Sequence, residues 1–228
     1  MHAVILAAGK GTRLRPLTDH MPKALVDICG KPLLQRILEA LPEEIHEITI
    51  VVGYLKEQIM AYFGYAWNGR AIHYIIQDPL DGTGTAVALA KDYVEGSFLV
   101  VNGDDLYAKE DLSHLLAHPF AILLQETAEP VAYAALVSAD GHFLGFESNP
   151  PASKRHHRVC GAYVLDERFF KYPLVKIPVR GHTEFSLPHT LVEVAKDCPI
   201  RVEKALYWRP VGTPDEWKRI KSDCLPPL

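Results

Sequence analysis

The feature that most constrains this chain is an apolar segment, residues 3–8, that ends abruptly at the glycine pair Gly9 and Gly11. Glycine has no Cβ atom and tolerates positive φ angles, so the amides of such a turn can converge on an anion. Four cationic side chains lie within or just after the turn: Lys10, Arg13, Arg15 and Lys23. The pattern predicts a buried strand that leads into a phosphate-binding loop.

The first half of the chain alternates short apolar runs with helical patterns. We predict strands at residues 2–7, 48–52, 72–76 and 98–101, and helices at 33–41, 55–63 and 85–94. This alternation is typical of a parallel sheet that is covered on both faces. Ligands of such sheets bind at the carboxyl ends of the strands. The loops that carry Gly9, Gln77 and Asp104 are therefore expected to meet in one crevice.

The second half has a different pattern, because its apolar runs follow one another with little room for helices between them. We predict strands at 121–125, 132–137, 142–146 and 159–165, paired antiparallel, then a helix at 185–195, a strand at 200–206 and a helix at 214–221. The predicted fold class is α/β: a Rossmann-like mixed sheet, largely parallel in the N-terminal half, with helices on both faces and antiparallel elements in the C-terminal half. Residues 1–228 are expected to form a single domain.

Composition excludes several classes of protein. The 228 residues carry a formal net charge of −4, which argues against a nucleic-acid-binding surface. The apolar N-terminal run is too short to span a membrane and lacks the charged region of a secretory signal. The four cysteines are far apart, form no C-x-x-C pair and are expected to be reduced. These features predict a cytoplasmic protein without membrane or nucleic-acid partners.

Two well-known phosphate loops do not fit the glycine turn. A P-loop requires G-x-x-x-x-G-K-[ST], which is absent, and a dinucleotide-binding turn requires a third glycine where Leu14 stands. A nicotinamide-dependent oxidoreductase would also need an acidic residue at the end of the second strand, and residues 51–54, Val-Val-Gly-Tyr, contain none. We therefore discount that class.

Residues 6–25 read L-A-A-G-x-G-T-R-L-x-P-L-T-x-x-x-P-K-A-L, which resembles the signature of the sugar-1-phosphate nucleotidylyltransferases. The resemblance implies an enzyme that transfers a nucleotidyl group from a nucleoside triphosphate, with UTP or dTTP favoured, to a sugar 1-phosphate. It also implies Mg²⁺ as cofactor, a nucleotide-binding half at 1–118 and a sugar-phosphate-binding half at 119–228. Whether the chain forms a homo-oligomer is left open.

The same resemblance implies roles for individual residues. Arg13 and Lys23 take catalytic positions, and Asp104, after the fourth predicted strand, takes the place of a magnesium ligand. The positions implied for nucleotide binding are Ala7, Ala8, Gly9, Gly11, Thr12, Gln77, Gly82 and Thr83. Those implied for sugar binding are Gly103, Gly145, Glu147 and Glu184.

The sequence departs from the family pattern at two places. Pro210 stands where the family usually has an aspartate that completes the magnesium site, so Asp104 would hold the ion with water and phosphates, or with help from Asp105. The family's Glu-Lys-Pro element reads Glu-Ser-Asn-Pro at residues 147–150, without the lysine that holds the sugar phosphate. Lys154 or Arg155 is an alternative partner for that phosphate.

The departures, and the absence of a motif that names the base or the sugar, leave other functions open. One is a catalytically silent module that binds a nucleotide or nucleotide sugar on the same fold. Another is a relative that uses GTP or CTP, with mannose 1-phosphate or phosphocholine as the second substrate. Release of pyrophosphate distinguishes the enzymes from the silent module.

Overall fold

The computed structural model of the chain describes residues 1–179 and 181–223. In the N-terminal half it contains eight strands and four helices. In chain order they are β1 (His2–Ala7), β2 (Asp27–Ile28), β3 (Lys31–Pro32), α1 (Leu33–Ala40), β4 (Glu47–Val52), α2 (Lys56–Phe63), β5 (Ala66–Trp67), β6 (Arg70–Ile76), α3 (Thr83–Ala88), β7 (Phe98–Asn102), β8 (Asp105–Tyr107) and α4 (Lys109–Leu115).

The described part of the C-terminal half also contains eight strands, but only two helices. Its described elements are β9 (Ala121–Thr127), β10 (Tyr133–Val137), β11 (Phe143–Ser148), β12 (His156–Leu165), β13 (Lys176–Val179), β14 (His182–Phe185), α5 (Leu187–Val194), β15 (Arg201–Lys204), β16 (Trp208–Pro210) and α6 (Pro214–Asp223).

One eight-stranded sheet organises the molecule, in the order β15-β9-β12-β7-β1-β4-β6-β5. Strands β7, β1, β4 and β6 are parallel, as the sequence predicts for this half. Strand β12 is antiparallel to both β7 and β9, whereas β15 is parallel to β9. The predicted α/β class with a mixed sheet is confirmed, although antiparallel pairing in the second half does not extend to β15.

The sheet is buried on both faces, because alternate residues of β1 enter two separate hydrophobic cores. Ala3 and Ile5 belong to one core, and Val4 belongs to the other. Helices α1, α2, α4 and α6 contribute buried side chains to the first core, and α3 and α5 contribute to the second. This burial on both faces explains why residues 3–8 form a continuous apolar run, which is the pattern that predicts a central strand.

Two predicted helices are shorter in the structure. The helix expected at 85–94 is α3, which begins one residue after Gly82 and gives way to a 3-10 turn at Lys91–Tyr93. The helix expected at 185–195 begins only at Leu187, because the Ser186 side chain accepts a hydrogen bond from the amide of His189 and caps the helix there. Phe185 pairs with Lys176 in a hairpin instead.

Three further findings concern the remaining predictions. Cys160 and Cys198 are free and buried, but Cys29 is disulfide-bonded, so the prediction of reduced cysteines is wrong for Cys29. Among the residues that the structure describes, no helix has the length and apolar character needed to cross a membrane. The cytoplasmic location, the division near residue 118 and any homo-oligomer stay predictions.

Candidate functional site

A crevice of about 550 Å³ opens at the carboxyl ends of β1, β6 and β7. It is lined by side chains and backbone from the three loops that the sequence predicts to converge, together with residues from β14. Thirteen of the fifteen predicted site residues lie in this lining: Ala7, Ala8, Gly9, Gly11, Thr12, Arg13, Lys23, Gln77, Gly82, Thr83, Gly103, Asp104 and Glu184.

The glycine turn after β1 is shaped as an open cradle. A Cβ atom at Gly9 would meet no heavy atom within 4 Å, and Gly11 adopts a positive φ of 62° at the start of a 3-10 turn, Thr12–Leu14. The buried Thr18 hydroxyl donates a 2.8 Å hydrogen bond to the carbonyl of Gly11 and holds the turn. Within the described part of the chain, neither Lys10 nor Arg13 forms an ion pair, so both cations are available to an anion in the crevice.

Lys23 and Asp104 meet on the floor of the crevice. Lys23 is only 8% exposed, and its Nζ lies 2.7 Å from Oδ2 of Asp104, whose side chain is 40% exposed. The carbonyl of Asp104 accepts a hydrogen bond from the amide of Val211. A buried ammonium group needs an anionic partner. The arrangement therefore places one cation and one carboxylate side by side, with the carboxylate facing the open space.

The adjacent carboxyl group, that of Asp105, faces the protein interior. It is buried, and its Oδ2 accepts hydrogen bonds of 3.4 Å from the Asn102 amide and the Tyr107 hydroxyl. Burial raises the pKa of Asp105 well above its usual range, and the nearby charge of Asp104 raises it further. Since Asp105 does not line the crevice, it is not placed to assist Asp104 in holding a metal ion.

The side chain of Gln77 has a defined orientation. It is 5% exposed, and its Nε2 donates to the carbonyl of Gly82 at 2.9 Å and to the Asp81 carboxylate at 3.4 Å. The two acceptors fix which end of the amide is nitrogen, which geometry alone seldom decides. Oε1 accepts no hydrogen bond from the described residues. It is therefore the free acceptor that Gln77 offers at the crevice.

The hairpin of β13 and β14 brings a second titratable pair to the crevice. His182 Nε2 lies 2.6 Å from Glu184 Oε1, and both residues line the cavity. The hairpin is tied to the Gln77 loop, because the amide of Phe185 donates to the carbonyl of Asp81 at 2.7 Å. The amide of Leu187 also donates to the Thr83 hydroxyl at 3.0 Å. The predicted nucleotide loop and the predicted sugar-binding glutamate thus share one support.

Gly82 is expected to tolerate no side chain. Its φ is 124°, and a Cβ would lie 2.7 Å from the amide nitrogen of Phe185 and closer still to its carbonyl oxygen. We expect Gly82→Ala to lower the free energy of unfolding by about 3 kcal/mol or more, measured by urea denaturation. Gly9→Ala is the control, because its Cβ would occupy open space, and we expect a change within about 0.5 kcal/mol. Equal unfolding midpoints for the two variants would contradict this account.

Two predicted sugar-binding residues are not brought to the crevice lining. Gly145 and Glu147 lie on β11, which pairs with β10 in a separate two-stranded sheet, and Glu147 is exposed. Neither of the alternative phosphate partners lines the cavity either: Lys154 is exposed, and Arg155 forms an ion pair with Glu126. The crevice lining therefore contains neither the two predicted residues of β11 nor either alternative phosphate partner.

The crevice also contains residues that sequence reasoning did not assign to it. They are Leu6, Ala24, Leu80, Ala86, Asn102, His182 and Gly212. The one local signal near His182 is the preceding glycine, Gly181, which indicates a turn. Gly212 lies in the segment Val211-Gly212-Thr213-Pro214, which resembles the family's closing motif, but only the folded chain brings it beside Arg13.

Comparison with known proteins places this geometry in context. The sequence profile of the nucleotidyl transferase family matches residues 2–225. The chain is 36% identical over 217 residues to the bifunctional protein GlmU of Methanocaldococcus jannaschii, covering 94% of this chain and 52% of that protein. It is 32% identical over 220 residues to a bifunctional sugar-1-phosphate nucleotidylyltransferase/acetyltransferase of Sulfurisphaera tokodaii, covering 94% and 53%. The chain thus spans about half the length of these relatives.

A solved structure resembles the fold along its whole length. HddC from Yersinia pseudotuberculosis, crystallised in complex with GMP-PN, aligns with a TM-score of 0.74 and 26% sequence identity, covering 97% of this chain and 98% of that one.

Proposed function

Because the chain belongs to the nucleotidyl transferase family, we propose that it transfers a nucleotidyl group from a nucleoside triphosphate to a sugar 1-phosphate. A phosphate oxygen of the sugar 1-phosphate forms a bond to the α-phosphorus, and the bond from that phosphorus to the β-phosphate bridging oxygen breaks. The products are a nucleotide sugar and pyrophosphate. The attacking oxygen is already ionised at neutral pH, so the reaction needs alignment and charge stabilisation rather than a general base.

The observation that carries this proposal is the convergence of an open anion cradle, three cations and two carboxylates in one crevice. Arg13 is assigned to the leaving pyrophosphate, since a guanidinium can bind two phosphate oxygens at once. Lys23 is assigned to the α-phosphate and the incoming sugar phosphate, and the amides of residues 9–12 to the β- and γ-phosphates. Glu184 is assigned to the sugar hydroxyls. All of these residues line the same cavity.

Asp104 fits the role of a magnesium ligand. Magnesium takes oxygen ligands, keeps several waters and is commonly held by one or two carboxylates together with substrate phosphates. The described residues contain no cluster of three carboxylate, histidine or cysteine side chains, and Asp104 offers one accessible carboxylate beside the phosphate cradle. When bound there, the ion would neutralise charge on the triphosphate. The chain's own part is to hold Asp104 in place through Lys23 and the amide of Val211.

The orientation of Gln77 supports a particular group of bases. Its free Oε1 is an acceptor, so it pairs with a base edge that donates, such as the imide N–H of uracil or thymine. We therefore favour UTP or dTTP. Guanine also donates from its ring nitrogen, and the relative solved with GMP-PN makes GTP the second candidate. Cytosine and adenine present an acceptor at the corresponding ring nitrogen and donate only from an exocyclic amine, so we rank them after the bases with a ring N–H.

Measuring pyrophosphate release tests the proposed reaction. Four nucleoside triphosphates are combined with a panel of sugar 1-phosphates and phosphocholine, with and without magnesium. We expect release with one sugar 1-phosphate and with UTP, dTTP or GTP, dependent on magnesium. Nucleotide binding without release from any pair would instead support the catalytically silent module, and release only with CTP and phosphocholine would overturn the assigned substrates.

Gln77→Leu is expected to raise the KM for the preferred triphosphate by about 10-fold to 10²-fold, because a base that donates would lose its acceptor in a buried site. Gln35→Leu, on α1 and outside the crevice lining, is the matched control and should keep the parent KM. Initial rates at varied triphosphate concentration provide the measurement. A parent KM in Gln77→Leu would remove Gln77 from base recognition.

A further inference from the structure

Three residues from opposite ends of the chain meet beside the phosphate cradle. The Arg13 guanidinium packs on Gly212: a Cβ built on this glycine would lie 3.1 Å from Nη2 of Arg13 and 3.2 Å from its Cζ. The same point lies 3.1 Å from Oε2 of Glu216. Arg13 and Glu216 therefore approach one another over the bare Cα of a buried glycine, at the edge of the crevice that Arg13 and Gly212 line.

Glu216 fixes the peptide on which Arg13 rests. Its Oε2 accepts a 2.8 Å hydrogen bond from the amide of Gly212, and its own amide donates to the Thr213 hydroxyl at 3.3 Å. Such reciprocal bonds cap the first turn of a helix, here α6. Capping alone would explain the contact with the backbone. It would not explain why the guanidinium of a residue 203 positions away packs against the same peptide.

Helix α6, which carries Glu216, is held in place by bonds to Asp27. The Trp217 indole donates to the carbonyl of Asp27 at 2.9 Å, and Lys221 forms a 2.8 Å ion pair with the Asp27 carboxylate. On the other side of Gly212, the amide of Val211 donates to the carbonyl of Asp104. Arg13, by contrast, is exposed on a short 3-10 turn. A long side chain in that setting has much rotamer freedom to lose when it binds an anion.

We infer that Glu216 is a positioning residue for Arg13: it holds the Gly212 peptide as a platform and keeps the guanidinium directed at the crevice. The inference rests on the proposed function, since the anion that Arg13 would bind is the leaving pyrophosphate. Among the described residues Arg13 and Glu216 form no direct ion pair, so the carboxylate attracts the guanidinium from several ångströms and leaves it able to bind an anion. Glu216 itself does not line the crevice, so its role is to act through Arg13.

A double-mutant cycle on the full chain tests the inference, with pyrophosphate binding measured by titration calorimetry. We expect Glu216→Ala to weaken binding about 10-fold and Arg13→Ala to weaken it further. The double variant should bind no more weakly than Arg13→Ala alone, because Glu216 acts through Arg13. Asp215→Ala, which removes the exposed neighbouring carboxylate from the same helical turn, should bind as the parent does.

Two further variants distinguish loss of positioning from a folding defect. Thermal unfolding of each variant detects such a defect. Glu216→Gln keeps an oxygen that can accept from the Gly212 amide, so its binding should lie within about 3-fold of the parent. Gly212→Ala would displace the guanidinium from the Gly212 peptide, so it should weaken pyrophosphate binding about as much as Glu216→Ala does. In the Arg13→Ala background it should have no further effect.

Losses that add in the double variant, or parent binding in Glu216→Ala, would overturn the positioning role and leave the proposed function intact. A parent protein that bound no pyrophosphate would overturn both the positioning role and the assignment of Arg13 to the leaving group.

Discussion

Lys23→Ala is expected to lower turnover by about 10²-fold to 10³-fold, the usual result of removing one preorganised donor that stabilises charge in a transition state. Lys23 is nearly buried and lies 2.7 Å from Asp104, so its ammonium group is fixed before substrate arrives. The variant should still fold, because the half-exposed Asp104 carboxylate can be hydrated once its partner is removed. Steady-state pyrophosphate release with the preferred substrate pair provides the measurement.

The matched control for this variant is Lys31→Ala. Lys31 also pairs with a carboxylate, Glu39, at 2.8 Å, but both side chains are partly exposed and lie outside the crevice lining. Surface pairs of this kind contribute little to stability, so this variant should turn over at the parent rate. If Lys23→Ala matched Lys31→Ala in rate, Lys23 would have no part in the proposed transfer.

Asp104→Asn should reduce turnover by about 10²-fold or more, because it removes the accessible carboxylate that is assigned to magnesium. Asparagine keeps the size of the side chain and one oxygen, so a weakened metal site should remain. We therefore expect raised magnesium to recover part of the activity of Asp104→Asn and none of that of Lys23→Ala. Rates measured across a magnesium titration distinguish the two variants.

Asp92→Asn controls for the loss of one negative charge, since Asp92 is exposed on a 3-10 turn away from the crevice lining. It should show the parent rate and the parent magnesium dependence. The assignment of Asp104 fails if Asp104→Asn also shows both.

The sequence predicted which loops meet in the crevice better than it predicted the residues at the proposed sugar end. The glycine turn, Gln77 and Asp104 each follow a strand of the parallel sheet, and parallel strands bring their carboxyl ends to one edge. Gly145 and Glu147 were assigned from a linear motif alone, and the structure places them on a separate hairpin. A motif read along the chain does not report which sheet its strand joins.

Prediction of the individual strands and helices depended on short-range signals in the sequence. Central strands such as β1 were found because burial on both faces makes them continuously apolar. The hairpin that carries Glu184 was missed, since its four-residue strands lie half in solvent and include a proline, Pro178. The hairpin is tied to the Gln77 loop by the hydrogen bond from the Phe185 amide to the Asp81 carbonyl, a contact that no local pattern reports.

By itself, the sequence determined the α/β fold and the open glycine turn after β1, because glycine spacing and apolar periodicity act over a few residues. Tertiary structure alone decided which of two adjacent carboxylates faces the crevice. Asp105 pairs with Pro210 in the β8–β16 ladder and is buried, whereas Asp104 is left accessible beside Lys23. It also decided that Arg13 and Glu216 approach the same Gly212 peptide, because residues about two hundred positions apart meet only once strands and helices have packed.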